Sequence, residues 1–395
     1  MRENLLLKTE EQFLLLSADI HPEQSILQRM DELIPNITNW EDFTRTAIAR
    51  AAAPLIVDKL DKLSRASLMP EKVLRNLKQA SMRTLSRNML LTEHFRQIIL
   101  AFTEADIPVI ALKGVMLSEW LYGNINLRQF SDLDLLVPLE KGPEALSILK
   151  TMGFESSDLK LSDFVKENTA IVHYTPMYKN GVSVEIHIRL HSETEHYEVD
   201  LDGIWKKAVP LQLHGVTALG LSPEDLLLHL CFHLDKHFRS GEFQFTCLYD
   251  IVNMLNHKTD VLNWELFEQL CKQARAESVT YKYLLLAQKF LNGNLPTDII
   301  KKYNFLLKPK EERIFLGILR GKGVHLYTAS VWRTLEHLNS FSKSVRYVFD
   351  ILFPTVEFMM KRYRLKRKSQ LWMYYPLRQL TAVRSLWQTI KKSMS

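Results

Sequence analysis

Two aspartates stand two residues apart in an otherwise apolar stretch, FSDLDLLVP at 130–138. The leucines and the valine around them predict a short buried strand. Asp132 and Asp134 would point to the same face of this strand, because side chains alternate across it. Two carboxylates this close repel each other, and a divalent cation between them removes the conflict. The spacing therefore favours a metal site with Asp132 and Asp134 as ligands.

A third acid lies in VSVEIHIRLH at 182–191, where apolar and polar residues alternate strictly. Glu185, His187 and Arg189 share the polar face of this predicted strand. If the strand lies beside that of Asp132, Glu185 completes a catalytic cluster of three metal-binding carboxylates. Two metal ions held there could clamp the attacking and leaving oxygens of a phosphoryl or nucleotidyl transfer. His187 and Arg189 would contact nucleotide phosphates or line the cleft.

A cradle for phosphate is offered by VIALKGVMLSEW at 109–120, which predicts a strand, a turn and a helix. A helix that starts next to a glycine exposes backbone N–H groups to an anion. Gly114 stands at that point. Lys113 could add a point charge, and Arg128 in the following loop could add a forked one.

Other candidates have simpler interpretations. His229, His233 and His237 recur at four-residue intervals and form one stripe of a predicted helix. They lack the glutamate of a helical zinc motif, so core or supporting positions are favoured over metal binding. For Asp250 we favour a structural hydrogen-bond partner over an acid in the cleft.

The elements that must position these residues fall into three regions. Helical spacing dominates before residue 105, and Ser222 followed by Pro223 predicts the start of another helix. Strands are predicted only in the middle third, including a hairpin around Asn180-Gly181. This order predicts an α+β fold. The regions are a helical N-terminal part, an α/β core and a helical C-terminal part with a basic tail, at 1–104, 105–215 and 216–395.

Composition narrows the class of protein. The three cysteines contain no CxxC pair, which argues against a disulfide framework or a structural zinc site and predicts a cytoplasmic protein. The N-terminus makes a poor signal peptide, and no apolar run reaches the roughly 20 residues that span a bilayer. From residue 340 onward there are twelve Lys or Arg against two acids. This basic tail could meet anionic partners, although a solvated helix face is the favoured interpretation.

Three segments together resemble a known family. They are DIPVIALKGVMLSEWLYGNINLRQFSDLDLLVP at 106–138, VEIHIRL at 184–190 and FPTVEFMMKRY at 353–363. Their order is similar to that of an uncharacterised bacterial nucleotidyltransferase family, a branch of the DNA polymerase β-like superfamily. The likeness runs from about residue 85 to 365. Ile188 replaces a usual aromatic residue, and Gly114-Val115 replaces the Gly-Ser of the wider superfamily.

The resemblance implies a polymerase β-like nucleotidyltransferase core, a small mixed sheet with flanking helices. It implies Mg²⁺, with Mn²⁺ as the alternative, and transfer of a nucleoside monophosphate from an NTP to an unidentified acceptor. The implied metal-binding and catalytic residues are Asp132, Asp134 and Glu185. The candidate nucleotide-binding residues are Lys113, Gly114, Arg128, His187 and Arg189.

Two other functions stay open on the sequence. One is a DxD-type glycosyltransferase that uses a nucleotide-sugar, and the other is a binding protein with a catalytically inactive nucleotidyltransferase core. The acceptor of a nucleotidyltransferase is also open. A protein, peptide, small molecule or saccharide is favoured over RNA.

Overall fold

The computed structural model describes residues 7–156, 172–191, 197–240 and 243–321, and most of 368–379. The chain divides into two compact units. The first comprises Met1–Leu234 and Gln244–Gly321, and the second Asp235–Phe243 and Lys322–Ser395. The motif at 353–363 and nearly all of the basic run at 361–368 lie outside the described residues. None of the described helices is both long and apolar enough to cross a membrane.

Helices account for most of the described chain, as the sequence predicts. In chain order they are α1 Thr9–Leu16, α2 Gln24–Leu33, α3 Trp40–Ala49, α4 Ala53–Lys59, α5 Glu71–Glu104, α6 Gly114–Trp120, α7 Gly142–Thr151, α8 Leu201–Lys207, α9 Pro223–Ser240, α10 Phe245–His257, α11 Trp264–Gln273, α12 Glu277–Leu291, α13 Thr297–Tyr303 and α14 Pro309–Leu319. Short 3-10 turns occur at Ile34–Asn36, Leu60–Lys62, Ala66–Leu68, Leu139–Lys141, Asn304–Leu306 and Lys368–Gln370.

One mixed sheet of six strands forms the centre of the first unit. The strands are β1 Ile110–Leu112, β2 Asp132–Leu136, β3 Met177–Lys179, β4 Val182–His187, β5 Val209–Leu213 and β6 Val216–Gly220, in the spatial order β3-β4-β2-β1-β6-β5. β2 is parallel to β4 and β1 to β6, whereas the other neighbours are antiparallel. The α+β class predicted from the sequence is therefore confirmed.

The sheet extends beyond the core boundary expected at residue 215. β6 pairs in parallel with β1, with Ile110 opposite Leu219, and β5 pairs with β6 at the edge of the sheet. Pro210 lies in β5, and a proline weakens the sequence signal for a strand but is accepted at an edge. The turn uses His214 and Gly215, both with positive φ, instead of the commoner Asn-Gly.

The two faces of β2 and β4 differ in chemistry. Leu133 and Leu135 are 0% exposed, and Val184 and Ile186 lie beside them in register. α5 packs against β2 and β4, and α7 packs against β4. The other face carries the acidic residues. The leucines thus anchor the strand in the core, as its alternating pattern predicts.

Helix α5 also fixes the starts of two strands. The Arg87 guanidinium donates to the carbonyl of Ser131, just before β2, at 2.8 Å. It donates to the carbonyl of Gly181, in the β3–β4 turn, at 2.9 Å. One side chain therefore holds the beginning of β2 next to the beginning of β4.

The loop after α1 is fastened to α10 through a buried acid. Asp19 is 5% exposed, and its carboxylate accepts from His257 Nε2 at 2.7 Å and from Asn256 Nδ2 at 2.8 Å. The His21 backbone N–H donates to the same carboxylate at 2.9 Å. Burial raises the pKa of Asp19, but the bonds and charge of His257 and the other donors outweigh it and lower this pKa overall.

This network predicts a pH-dependent contribution to stability. Because the folded-state pKa of Asp19 is depressed, the contribution is present above the ordinary aspartate pKa of about 4 and is lost as pH falls through the folded-state value. Asp19→Asn should lower the melting temperature at pH 7, and the difference from wild type should shrink at about pH 3.5. Thermal unfolding at both pH values measures this. The exposed Asp202→Asn serves as control, and an Asp19→Asn difference that is equal at both pH values would contradict the prediction.

Candidate functional site

The register of two parallel strands assembles the site. Asp132 lies opposite Ser183, and Asp134 lies opposite Glu185. Residues paired in this way point to the same face of a sheet, so Asp132, Asp134 and Glu185 face one side together. The strand adjacency on which the sequence argument depends is therefore present.

A histidine joins the carboxylates. His187 Nε2 lies 2.9 Å from Asp134 Oδ1 and 3.6 Å from Glu185 Oε2. Asp134, Glu185 and His187 each offer a ligand atom within 4.8 Å of the others, which no other set of three such residues does in the described part of the chain. Asp132 is next on the same face but outside this set. The sequence places His187 with the nucleotide, whereas the structure places it among the acids.

Lys113 neutralises the most buried acid. Its Nζ lies 2.9 Å from Asp134 Oδ2, and the lysine is only 8% exposed. In this structure its ammonium thus contacts a carboxylate, and its expected contact with phosphate stays a prediction. The backbone of Lys113 has φ 48° and ψ −116°, a conformation that strains any residue with a Cβ. Strain of this kind is typical of functional sites.

The surroundings shift the pKa values of the three carboxylates in different directions. Burial would raise the pKa of Asp134, but Lys113 and His187 lower it well below its ordinary value. Burial and then the charge of Asp134 raise the pKa of Asp132, against the opposing effect of Lys113. For Glu185, bonding to His187 and the charge of His173 outweigh burial and lower the pKa. Neighbouring acids with opposite shifts are a feature of catalytic sites.

The pKa values of the cationic partners, Lys113 and His187, are raised. Burial lowers the pKa of Lys113, but Asp134 outweighs it and raises the pKa overall. Burial likewise lowers the pKa of His187, and its bonds to Asp134 and Glu185 raise it overall. The cluster is thus a buried set of opposite charges that stabilise one another.

Gly114 is required by close packing. It is the first residue of α6, and a Cβ added there would lie 2.8 Å from the Phe130 Cβ. Phe130 lies two residues before Asp132, so this contact brings the Lys113 turn against the loop that leads into β2. A contact between the Gly114 backbone and phosphate stays a prediction.

Arg128 forms a buried ion pair with α10. Its Nε and Nη2 donate to the two oxygens of Asp250 at 2.8 and 2.7 Å, and Tyr122 Oη donates to the same carboxylate at 2.9 Å. Arg128 is 5% exposed and Asp250 is 0% exposed. Asp250 is therefore a structural partner, as the sequence favours. A phosphate contact by Arg128 stays a prediction, since this bidentate pair is the contact that the structure shows.

The Arg128 loop is also tied to α5. Asn88 Nδ2 donates to the carbonyls of Ile125 and Arg128, at 2.6 and 2.8 Å. The backbone before β2 is thus held from α5 and from α10 at once.

Two further candidates lie near the cluster. Arg189 is half-buried two residues beyond β4, and its backbone N–H donates to the Val172 carbonyl at 3.1 Å. His229 is 5% exposed, with Nδ1 3.4 Å from His191 Nε2. Burial lowers the pKa of His229 well below its usual range, and the charges of His191 and Lys113 lower it further. His229 and His233 belong to no three-ligand set among the described residues, which fits the favoured core interpretation.

Comparison with known protein families identifies the family to which the chain belongs. The sequence model of one family, described as uncharacterised nucleotidyltransferase, matches residues 36–292, well over half of the chain. The chain belongs to this nucleotidyltransferase family. No curated protein and no solved structure shows significant similarity to it.

The nucleotidyltransferase family match covers the whole sheet and every candidate site residue. It begins before the resemblance noted in the sequence and ends short of the motif at 353–363. The resemblance to an uncharacterised nucleotidyltransferase family is thus confirmed for the region that builds the site.

Some residues of the site carry no recognisable sequence signal. His173 Nε2 lies 3.6 Å from Glu185 Oε2, and His173 forms an antiparallel bridge with His187. Its position beside Glu185 follows from the pairing with β4, which the sequence does not predict. Arg87 lies in a long helix with no motif around it, and its role follows from the strand ends that it meets.

Two substitutions of Lys113 should distinguish the effect of backbone strain on stability from the effect of losing the ammonium charge. Lys113→Gly and Lys113→Ala both remove the ammonium, but only glycine adopts the observed φ without strain. We expect the glycine variant to be more stable than the alanine variant by about 1–3 kcal/mol. Urea unfolding of both proteins measures the difference.

Lys150, exposed in α7, provides the matched control. There the order should reverse, with alanine favoured over glycine by up to about 1 kcal/mol. An alanine variant at position 113 at least as stable as the glycine variant would show that the backbone there is unstrained.

Removing Arg128 should destabilise the fold strongly. Arg128→Ala leaves the Asp250 carboxylate buried without its cation, a loss of about 3–5 kcal/mol in the free energy of unfolding. Arg45→Ala is the control, because its pair with Asp42 has an arginine side chain that is 78% exposed and should change stability by less than about 1 kcal/mol. Chemical denaturation compares the two, and similar small losses would refute the structural role of Arg128.

Proposed function

We propose that this protein is a metal-dependent nucleotidyltransferase with a polymerase β-like core, which transfers a nucleoside monophosphate from an NTP to an acceptor hydroxyl. The observation that carries the proposal is the set of Asp134, Glu185 and His187 on two adjacent parallel strands. That set lies within the region matched by the nucleotidyltransferase family.

The donor set fits a divalent cation. Two carboxylates and one imidazole lie within 4.8 Å of one another, and Asp132 adds a further carboxylate on the same face. Mg²⁺ or Mn²⁺ suits such oxygen-rich ligands. When bound, the ions would neutralise phosphate charge and stabilise the attacking and leaving oxygens in a two-metal arrangement.

The transfer exchanges a phosphoanhydride bond of the NTP for a new bond between the α-phosphorus and the acceptor oxygen. The acceptor oxygen forms a bond to the α-phosphorus, the bond from that phosphorus to the β-phosphate oxygen breaks, and pyrophosphate leaves. The acceptor proton passes to a carboxylate, for which Glu185 is the candidate. The strained turn at Lys113 places an ammonium beside the same acids, where it can compensate phosphate charge.

The nucleotide would lie along the edge of this cluster. Lys113, the Gly114 backbone and Arg189 are the proposed contacts, while Arg128 supports the loop through Asp250 and His187 lies with the acids. The acceptor is proposed to be a protein, peptide, small molecule or saccharide in preference to RNA. The basic tail at 361–368 is left outside the catalytic proposal.

Isosteric changes at the acids test the proposal. Asp134→Asn and Glu185→Gln remove the charges that hold the cation with little change in shape, so release of pyrophosphate from NTPs should fall by at least about 10²-fold. Each of the four NTPs is incubated with Mg²⁺ or Mn²⁺ and a panel of polyols, sugars, peptides and proteins. Exposed Asp202→Asn should keep full activity.

The outcomes separate the three functions. Equal pyrophosphate release by wild type and the two acid variants would refute the nucleotidyltransferase. A larger thermal stabilisation by UDP-sugars than by any NTP would favour the glycosyltransferase. Nucleotide binding by calorimetry without any turnover would favour an inactive core that serves as a binding protein.

A further inference from the structure

The His187 side chain lies between the carboxylates of the proposed metal site. It follows Glu185 by two positions on β4, so both side chains point to the same face. The neighbouring strand places Asp134 directly opposite Glu185. As a result, the His187 Nε2 atom lies between two carboxylates and contacts the oxygens that a bound cation would use.

The distances from His187 Nε2 to the two carboxylates are close to those between ligands of one ion. Neighbouring ligands about 2.1 Å from a common cation lie about 3.0–3.4 Å apart. The observed separations from His187 Nε2 are 2.9 Å to Asp134 Oδ1 and 3.6 Å to Glu185 Oε2, which bracket that range. Two of the three separations are thus close to those of ligands that share one ion, and all three donor atoms lie within 4.8 Å of one another.

In the described part of the chain the His187 ring is hydrogen-bonded at Nε2, and the ring also lies against that of His173, with centroids 5.0 Å apart. His187 is 6% exposed, and its Nδ1 is buried with no hydrogen-bond partner in the described part of the chain. A buried polar atom without a partner is uncommon in folded proteins and needs an explanation, of which a catalytic role or a bound ion is one. Nε2 is therefore the ring nitrogen through which this imidazole meets the polar groups of the site.

From this geometry we propose that His187 binds the metal directly through Nε2, and that the site takes a divalent ion of the first transition series in preference to Mg²⁺. Mg²⁺ is a hard ion that prefers oxygen ligands and water, whereas an imidazole nitrogen suits transition metals. The inference rests on the proposed function only in treating the cluster as a metal site. It chooses between the two ions that the proposed function leaves open.

Pulsed EPR of Mn²⁺ bound to the full chain tests the proposal. A directly coordinated imidazole gives a ¹⁴N coupling, which should appear in wild type and change to a ¹⁵N coupling when the histidines are ¹⁵N-labelled. His187→Gln should lose it. His173→Gln is the matched control, because His173 also lies 3.6 Å from Glu185 but belongs to no set of three ligands among the described residues, and it should keep the coupling.

Competition between ions gives an independent measure. The Mg²⁺ concentration that displaces half of the bound Mn²⁺ should fall by about tenfold or more in His187→Gln, and should stay near the wild-type value in His173→Gln. If His187→Gln does not fold, the isotope-labelled wild type still decides whether a histidine nitrogen is bound, and His173→Gln decides whether His173 supplies it.

Three results would overturn the proposal: bound Mn²⁺ without a histidine coupling, a coupling lost in His173→Gln, or no Mn²⁺ binding at all. These results are distinct from failure of the proposed function. Nucleotidyl transfer without nitrogen coupling would refute the metal ligand alone. Coupling without transfer from any NTP would refute the reaction alone.

Discussion

The parallel pairing of β2 with β4 is the constraint on which the site depends. Its register sets Asp134 directly against Glu185, so two like charges meet in a partly buried place. Such a pair is unfavourable unless cations lie next to it. Lys113 and His187 meet that need in the structure, each within 2.9 Å of an Asp134 oxygen. These two side chains therefore balance the negative charge of the acids in the structure.

The surrounding elements keep that register in place. Arg87 bonds the backbone ahead of β2 and the turn ahead of β4, so neither strand can slip along the other without breaking a bond. A slip of one residue would move every side chain to the opposite face and dissolve the cluster. Most of the fold around the site therefore serves to hold one alignment of two short strands.

The sequence carries the local part of this design. Alternation along β4 places Glu185 and His187 on one face, and the apolar run around Asp132 predicts β2 within a residue or two. What the sequence does not carry is pairing between distant segments. The ion pair of Arg128 with Asp250 joins residues far apart in the chain, and the backbone strain of Lys113 depends on how its turn is packed. The sequence does not predict β6, because its partner β1 is far away in the chain and its own hairpin uses an unusual turn.

The pairing of Arg128 with Asp250 has a consequence for how the protein can be divided. The acid comes from α10, beyond every strand of the sheet, yet it neutralises a cation buried at the entrance to β2. A fragment cut at the expected core boundary of residue 215 would lose β6 and leave that guanidinium unmatched. The sheet is therefore not an autonomous module. A truncated or fused protein that preserves this site must therefore include the chain from the sheet through α10, so that Arg128 and Asp250 stay paired.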